Sequence, residues 1–190
     1  MTPGAYSDKI KRVQSARATH NAIVLAPRVV EMPLEIARFD DPFLPYGKAV
    51  IAATRDLVCA YVFDLAAYLA IGAAGAVALE RTIAYVRGDG QTITVLHAPF
   101  ASGDFAAAAG DGAFAVDAVT VTPGTDSAPF VSAGVAAYNL TNGALPSVLR
   151  IDDGDESLDI RLIEAEIVRA ARGDDYLDVI RAAIERRREA

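Results

Sequence analysis

The sequence contains one cysteine, no tryptophan and only three lysines. A single cysteine excludes an internal disulfide bond and any metal cluster held by several thiolates. Cys59 lies in the apolar stretch Leu57-Val58-Cys59-Ala60, so we expect its thiol to be a small buried group. Without tryptophan, the core must consist of aliphatic side chains together with Phe and Tyr rings.

Positive charge is scarce and unevenly distributed. The formal net charge is -7, and residues 88–149 contain no Lys or Arg. Because nucleic-acid binding needs positive charge against the phosphates, nucleic acid is not expected as a partner. A site formed by this stretch alone would also lack a cation with which to hold a phosphate group.

No segment is both long and apolar enough for a membrane span. The most apolar run, residues 61–79, is interrupted by Asp64, Gly72 and Gly75, whereas a span needs about 20 predominantly apolar residues. No apolar segment follows basic residues near the start, so we expect no signal peptide, no membrane association and a cytoplasmic location. With 53% hydrophobic and 23% charged residues, residues 1–190 are expected to form one domain.

Short apolar runs alternate with helical patterns along the chain. Strands are predicted to begin near residues 22, 58, 92, 118, 135 and 148, and such alternation is typical of βα units around a parallel sheet. The spacing between strand starts falls from about 35 residues to about 13, whereas a comfortable unit takes about 30. The second half is therefore too short for complete units, and an acidic loop is expected over residues 152–156.

Several segments resemble, in order and spacing, the longer bacterial type of orotidine 5'-phosphate decarboxylase. They are Asn21-Ala22-Ile23-Val24-Leu25-Ala26-Pro27, Arg55-Asp56-Leu57-Val58-Cys59-Ala60-Tyr61, residues 67–75 and 79–86, Asp117-Ala118-Val119-Thr120-Val121-Thr122-Pro123 and Ala170-Ala171-Arg172-Gly173-Asp174-Asp175-Tyr176. The resemblance implies a TIM barrel that works without a cofactor and forms a homodimer. Together with the strand spacing it predicts an α/β, TIM-barrel-like fold, compressed or incomplete in its C-terminal half.

The residues that would carry the family's chemistry are replaced. The third strand of the family typically reads Asp-Ala-Lys-Arg-Gly-Asp, and here His97 stands at the leading Asp and Pro99 at the catalytic Lys. Ala26 stands at the ribose-binding Asp of the first strand, and Val62 stands where a second Lys is expected. The family's phosphate-binding loop is missing between about residues 150 and 163, and its phosphate Arg falls within residues 164–166.

These replacements argue against the ordinary decarboxylation. Loss of carbon dioxide leaves carbanion charge, which needs a fixed cation and a proton donor. A phosphate group needs Arg, Lys or a helix N-terminus, and Glu164 and Glu166 would repel a phosphate dianion.

The remaining candidates stand at the predicted strand ends, where TIM barrels carry their active sites. The predicted catalytic residues are His97, an acid or base near pH 7, and Asp104, which would orient it. The alternative for His97 is a hydrogen bond to a loop carbonyl with no catalytic role. The predicted substrate-binding residues are Tyr61, Asp64, Ser102, Thr122, Asn139, Glu164 and Glu166. No ligand spacing in the sequence supports a metal site.

Three functions stay open from the sequence. The first is a repurposed enzyme of lyase, isomerase or cyclase type, acting on a small non-phosphorylated substrate in specialised metabolism. The second is a non-catalytic relative that serves as a binding or partner subunit. The third is a genuine orotidine 5'-phosphate decarboxylase of pyrimidine biosynthesis with relocated machinery. The expected partners are a small-molecule ligand and a second copy of the chain.

Overall fold

The computed structural model describes residues 3–153 and 156–188. The strands are β1 (Asn21–Leu25), β2 (Ala60–Asp64), β3 (Ile93–His97), β4 (Ala118–Val121), β5 (Ala136–Asn139), β6 (Val148–Asp153) and β7 (Glu156–Ile163). The helices are α1 (Pro3–Arg17), α2 (Leu34–Ala37), α3 (Phe43–Thr54), α4 (Leu65–Leu69), α5 (Ala73–Arg87), α6 (Ala106–Ala109), α7 (Ala128–Ser132), α8 (Ala165–Arg169) and α9 (Tyr176–Arg188). Short 3-10 turns occupy Val29–Glu31 and Gly103–Phe105.

The seven strands form one sheet in the order β5-β4-β3-β2-β1-β7-β6. Strands β1 to β5 pair in parallel with their neighbours, and β7 returns to pair in parallel with β1. The last parallel strand thus lies beside the first, as in a barrel, but β5 and β6 stay unpaired with each other. The prediction of a TIM-barrel-like fold, incomplete in its C-terminal half, is confirmed. The gap between β5 and β6 is called the seam below.

Strand β7 is not among the predicted strands, and it begins at Glu156, where the predicted acidic loop ends. Strand β6 instead turns back into β7 as an antiparallel hairpin, in which Asp153 pairs with Glu156. The two residues between them lie outside the described part of the chain. In β7, Leu158, Ile160 and Leu162 are buried at alternate positions, which is the period of a half-buried strand. The two charged residues between them, Asp159 and Arg161, and the acidic residues before Leu158 concealed this alternation.

Alternation along the strands sorts side chains between two apolar clusters. The cluster inside the curved sheet includes Val24, Val62 and Val95, whereas the outer cluster under the helices includes Tyr61 and Phe63. Because successive residues of a strand point to opposite faces, position along a strand decides whether a side chain can reach the barrel interior.

Helix α1 lies against the amino ends of the strands and covers that end of the barrel. Its residues Tyr6, Ile10 and Val13 belong to the interior cluster. The Tyr6 hydroxyl lies 2.9 Å from the Tyr138 hydroxyl, and Lys9 Nζ forms an ion pair of 2.6 Å with Asp117. The opposite end, where the carboxyl ends of the strands meet, is the end that carries active sites in such barrels.

Helices α5 and α9 extend over 15 and 13 residues. Both pack on the outer face of the sheet through buried apolar side chains, among them Leu79 and Ile83 of α5 and Ile180 of α9. Within residues 3–153 and 156–188, no helix combines the length and apolar character that crossing a bilayer requires.

Candidate functional site

A cavity of about 290 Å³ lies at the carboxyl ends of β1, β2, β3 and β7. Its walls include the apolar side chains of Val24, Leu145 and Leu162. Its titratable and charged lining residues are Arg28, Asp64, His97, Glu164, Glu166 and Arg169. Four of the residues predicted from the sequence are thus brought together, from three different strand ends. We call this space the strand-end cavity.

His97 is fixed by the neighbouring strand. Asp64, His97 and Thr120 occupy the same level of β2, β3 and β4, because each is the register partner of the next. The Nδ1 atom of His97 lies 2.8 Å from Thr120 Oγ1, and the same oxygen accepts the amide N–H of Ala98 at 3.3 Å. A hydroxyl can donate to Nδ1 or accept from it. His97 can therefore present either a proton or a lone pair at Nε2.

Burial sets the charge state of His97. The residue is only 8% exposed, and this burial lowers its pKa below the ordinary 6.5, while the nearby charge of Asp64 acts in the opposite direction. Removing a cationic imidazolium from water is unfavourable, so His97 is neutral at pH 7. A neutral imidazole with one free nitrogen is a suitable acid or base.

Asp64 ends β2 and begins α4. Its Oδ1 accepts the backbone N–H of Ala67 at 3.0 Å, which is an N-cap and satisfies one of the first free amides of the helix. The carboxylate is thereby held in place beside His97. Its negative charge favours an imidazolium, so it would stabilise the proton that His97 takes from a substrate. No group of three potential metal ligands is assembled within the described ranges.

Arg169 is the buried cation of the site. Its Nη1 donates to the carbonyl of Ala26 at 3.1 Å, its Nη2 lies 2.5 Å from Glu166, and its Nε lies 2.7 Å from Glu31. Nη1 and Nη2 thus donate hydrogen bonds to the protein itself, whereas Nε forms an ion pair with Glu31 that lacks hydrogen-bond geometry. Arg169 therefore fixes the loop after β1 against α8.

The two cations of the cavity are not among the residues predicted from the sequence. Residues 88–149 contain no Lys or Arg, but Arg28 and Arg169 come from outside that stretch. Arg28 follows β1 and Arg169 ends α8, and these elements meet because β7 pairs with β1. A signal was present in the pair Glu166 and Arg169, three residues apart, which is the spacing of an ion pair on one helix face.

Tyr61 does not reach the cavity, so its assignment as a substrate-binding residue is wrong. It points outward from β2 into the cluster under the helices and is fully buried. Its hydroxyl lies 2.8 Å from Thr54 Oγ1 and donates to the Ile51 carbonyl at 3.3 Å. Burial raises its pKa well above the ordinary value. The outward position follows from alternation, since the interior residues of β2 are the even-numbered ones.

Asp104 does not orient His97, since the partner of His97 Nδ1 is Thr120. Asp104 belongs to the turn Gly103–Phe105, which follows Ser102. Neither residue is among the described residues that line the strand-end cavity. The same holds for Thr122, whose hydroxyl lies 3.2 Å from that of Thr125.

Asn139 lines a second cavity of about 430 Å³, which lies at the seam. Its wall includes Thr141, Asn142 and residues of β6. Leu145 and Pro146 line this cavity and the strand-end cavity alike. The segment that connects β5 to β6 therefore separates the two spaces.

Several proteins of similar sequence carry the same name. No protein-family model matches the chain. It is 33% identical over 81 residues to an orotidine 5'-phosphate decarboxylase of Herpetosiphon aurantiacus, a match that covers 43% of this chain and 30% of that protein. It is 35% identical over 78 residues to the enzyme of that name from Thermomicrobium roseum, covering 41% of this chain and 28% of the relative. The matches thus span less than a third of these relatives.

Solved structures agree in fold. A Toxoplasma gondii protein described as an orotidine-monophosphate decarboxylase superposes with a TM-score of 0.59 at 23% identity, over 70% of this chain and 47% of that one. OMP decarboxylase of Leishmania donovani superposes with a TM-score of 0.57 at 22% identity, over 70% and 52%. The chain is a divergent relative of the orotidine 5'-phosphate decarboxylases. The predicted resemblance is confirmed.

One of the replaced positions lies directly after β3. Where the resemblance places the family's lysine, this relative has Pro99, which lies beside Gly143 of the segment that connects β5 to β6. Phe100, the next residue, is exposed. A proline has no cation and no proton to donate, so this decarboxylase relative has to use other side chains for any chemistry.

Proposed function

We propose that this decarboxylase relative is an enzyme that acts on a small non-phosphorylated substrate in the strand-end cavity. The observation that carries the proposal is the placement of His97. It is nine-tenths buried, its Nδ1 is held by Thr120, and it lines a cavity at the end of the barrel where such folds carry active sites.

His97 is the acid or base of the proposed reaction. When Nδ1–H donates to Thr120 Oγ1, Nε2 carries a lone pair and can take a proton from the substrate. Asp64 then stabilises the imidazolium by its charge, and Nε2 can return the proton to another substrate atom. Lyases, isomerases and cyclases all need such a transfer, so the reaction belongs to one of these types.

The charges of the cavity support a substrate without a phosphate group. Its lining carries three carboxylates, those of Asp64, Glu164 and Glu166, against the guanidinium groups of Arg28 and Arg169. Arg169 is already engaged by Glu31 and Glu166. A phosphate dianion would therefore meet an excess of negative charge, which disfavours the third function, genuine orotidine 5'-phosphate decarboxylation.

Calorimetric titration tests the substrate class. Orotidine monophosphate, UMP, orotate, uridine and uracil are titrated into the purified chain, and decarboxylation of orotidine monophosphate is assayed in parallel. We expect neither phosphorylated compound to bind. Tight binding of UMP together with decarboxylation would contradict the proposal and establish the third function.

His97→Gln tests the catalytic role, and His20→Gln is its matched control. His20 is the second histidine of the chain, and it is exposed and outside the cavity. Once a turned-over substrate has been found, we expect His97→Gln to reduce kcat by at least a hundredfold and His20→Gln to leave it unchanged. Equal turnover by both variants would remove His97 from the mechanism.

A non-catalytic binding or partner subunit is the second candidate. The open seam favours it, because the sheet lacks the strands that would close the barrel between β5 and β6. A ligand that binds the cavity and is recovered unchanged under all assay conditions would support this function. A homodimer and a cytoplasmic location are part of both proposals. Light scattering of the purified chain and fractionation of its host cells test them.

A further inference from the structure

The strand-end cavity contains two carboxylates that the protein leaves largely unused. Glu164 follows β7 and is exposed, and within the described part of the chain its carboxylate forms no hydrogen bond or ion pair, although its backbone carbonyl accepts the amide N–H of Ile167. Asp64 uses Oδ1 for the helix cap, and no described residue donates to its Oδ2. Both side chains line the same space. Their charges are therefore available to a ligand.

The cations of the cavity do not cancel this charge. Arg169 forms ion pairs with both Glu31 and Glu166, so its positive charge is already balanced by these two carboxylates. Arg28 has a side chain that is 60% exposed and lies 3.8 Å from Glu31. Water screens such an exposed charge strongly, and it screens the exposed Glu164 in the same way, so the partly buried Asp64 carries the less screened charge. The charge left without a partner inside the cavity is negative.

His97 adds a second, independent indication of a ligand. It is nine-tenths buried and lines the cavity, yet only its Nδ1 is bonded to a described residue. The Nε2 atom is not among the solvent-excluded unpartnered atoms of the described residues, so it is open to the cavity. A ligand that donates to Nε2 would satisfy it. A donor that is also positively charged would satisfy the two carboxylates at the same time.

We propose that the strand-end cavity binds a cationic nitrogen group of its substrate, a protonated amine or amidine, between Asp64, Glu164 and His97. This inference rests on the proposed function and names the substrate class of that site. The apolar wall formed by Val24, Leu145 and Leu162 would contact the hydrocarbon part of the substrate. A cavity of about 290 Å³ accommodates only a small molecule.

Three probes of one shape test the proposal. Benzylamine, benzyl alcohol and benzoate are cationic, neutral and anionic at pH 7 and differ little in size. Binding is followed by the ring signals of the two histidines in heteronuclear NMR spectra, which His97→Gln assigns. We expect benzylamine to shift the His97 signals with a Kd at least tenfold below those of the other two, while the His20 signals stay in place.

Charge-neutralising variants locate the bound cation. Asp64→Asn keeps a side chain that can cap α4, and Glu164→Gln keeps its shape. Each is expected to raise the Kd of benzylamine at least threefold. Asp104→Asn removes the same charge outside the cavity and is the matched control, with an expected change below 1.5-fold. Arg28→Gln removes a repelling charge at the rim and is expected to lower the Kd.

Several results would overturn the proposal. One is a Kd for benzyl alcohol or benzoate as low as that of benzylamine, which would leave the cavity a ligand site of another class and the proposed function intact. Another is the absence of any His97 shift with saturating benzylamine. A third is an equal effect of Asp104→Asn and Glu164→Gln, which would assign the effect to net charge. Failure of His97→Gln to affect turnover would contradict the catalytic role alone.

Discussion

Thr120 Oγ1 lies 2.8 Å from His97 Nδ1 and accepts the amide N–H of Ala98 at 3.3 Å. Thr120 is fully buried and stands one strand away from His97 at the same level of the sheet. A single hydroxyl therefore positions the imidazole and the backbone that follows it. The group that orients His97 is thus a neutral hydroxyl on β4. The carboxylate of Asp64 lies on β2, the strand on the opposite side of β3.

Thr120→Val is expected to destabilise the fold and release His97. Valine has the shape of threonine but no hydroxyl, so the Ala98 amide and His97 Nδ1 would both lose a buried partner. We expect a loss of about 1–3 kcal/mol in the free energy of unfolding, measured by urea denaturation. Thr120→Ser retains the hydroxyl and should recover most of this loss. A Thr120→Val variant as stable as the parent chain would contradict the assigned contact.

Stability should fall as the pH drops below the ordinary histidine pKa of 6.5. Burial lowers the pKa of His97 in the folded chain, so between the folded and unfolded pKa values the unfolded state binds more protons at this residue. Stability then rises with pH across this window. The cavity also contains Asp64, Glu164, Glu166, Arg28 and Arg169, and these charges are common to parent and variant.

The difference between parent and variant isolates the contribution of His97. Urea denaturation of the parent chain and of His97→Gln is compared from pH 7.5 downward, and we expect the difference in unfolding free energy to change only below 6.5. His20→Gln should follow the parent curve at every pH. A difference that stays constant through this window would mean that the pKa of His97 is not lowered.

Arg169→Leu is expected to loosen the loop after β1. The substitution removes the donor to the Ala26 carbonyl and leaves Glu31 without its nearest cation. We expect a loss of about 1.5–3 kcal/mol, together with faster proteolysis within residues 27–42. Arg172→Gln is the control, because Arg172 is exposed and lies 3.9 Å from the same Glu31. Its expected effect is below about 0.5 kcal/mol, and equal losses would contradict the central position of Arg169.

Tyr61→Phe tests the outward direction of the Tyr61 side chain. Removal of its hydroxyl takes one hydrogen bond each from Thr54 and the Ile51 carbonyl, which keep their bonds to the Val50 carbonyl and the Arg55 amide. We therefore expect a loss of about 0.5–1.5 kcal/mol in stability. Because Tyr61 lies outside the barrel interior, the Kd of benzylamine should stay within twofold of the parent value. A large loss of binding with unchanged stability would restore Tyr61 to the site.

Much of the fold was predictable because it depends on local patterns. Six of the seven strands coincide with apolar runs bounded by turn residues. Strand β7 was not predicted, because it is amphipathic and its polar face carries Asp159 and Arg161. On one side β7 pairs with β6, which belongs to the same acidic stretch. Such a pair depends on how the two strands align in register, and residue composition does not show this alignment.

The candidate site was predictable only in part. Asp64, His97, Glu164 and Glu166 share the cavity because parallel strands bring their carboxyl ends to one edge. Tyr61 was assigned to the same edge, but the two-residue period of β2 directs it to the opposite face. Asp104 is close to His97 in sequence, but the group beside His97 Nδ1 is the buried hydroxyl of Thr120, 23 residues away along the chain.

The sequence by itself determined the alternation of strands and helices, the shortage of positive charge and the loss of the family's charged residues. These properties depend on residue identity and on local periodicity. Only the tertiary structure decided that β7 lies beside β1, that Arg28 and Arg169 thereby enter an otherwise acidic cavity, and that the sheet stays open between β5 and β6. Such contacts join residues far apart in the chain, and they are set by the pairing and packing of whole elements.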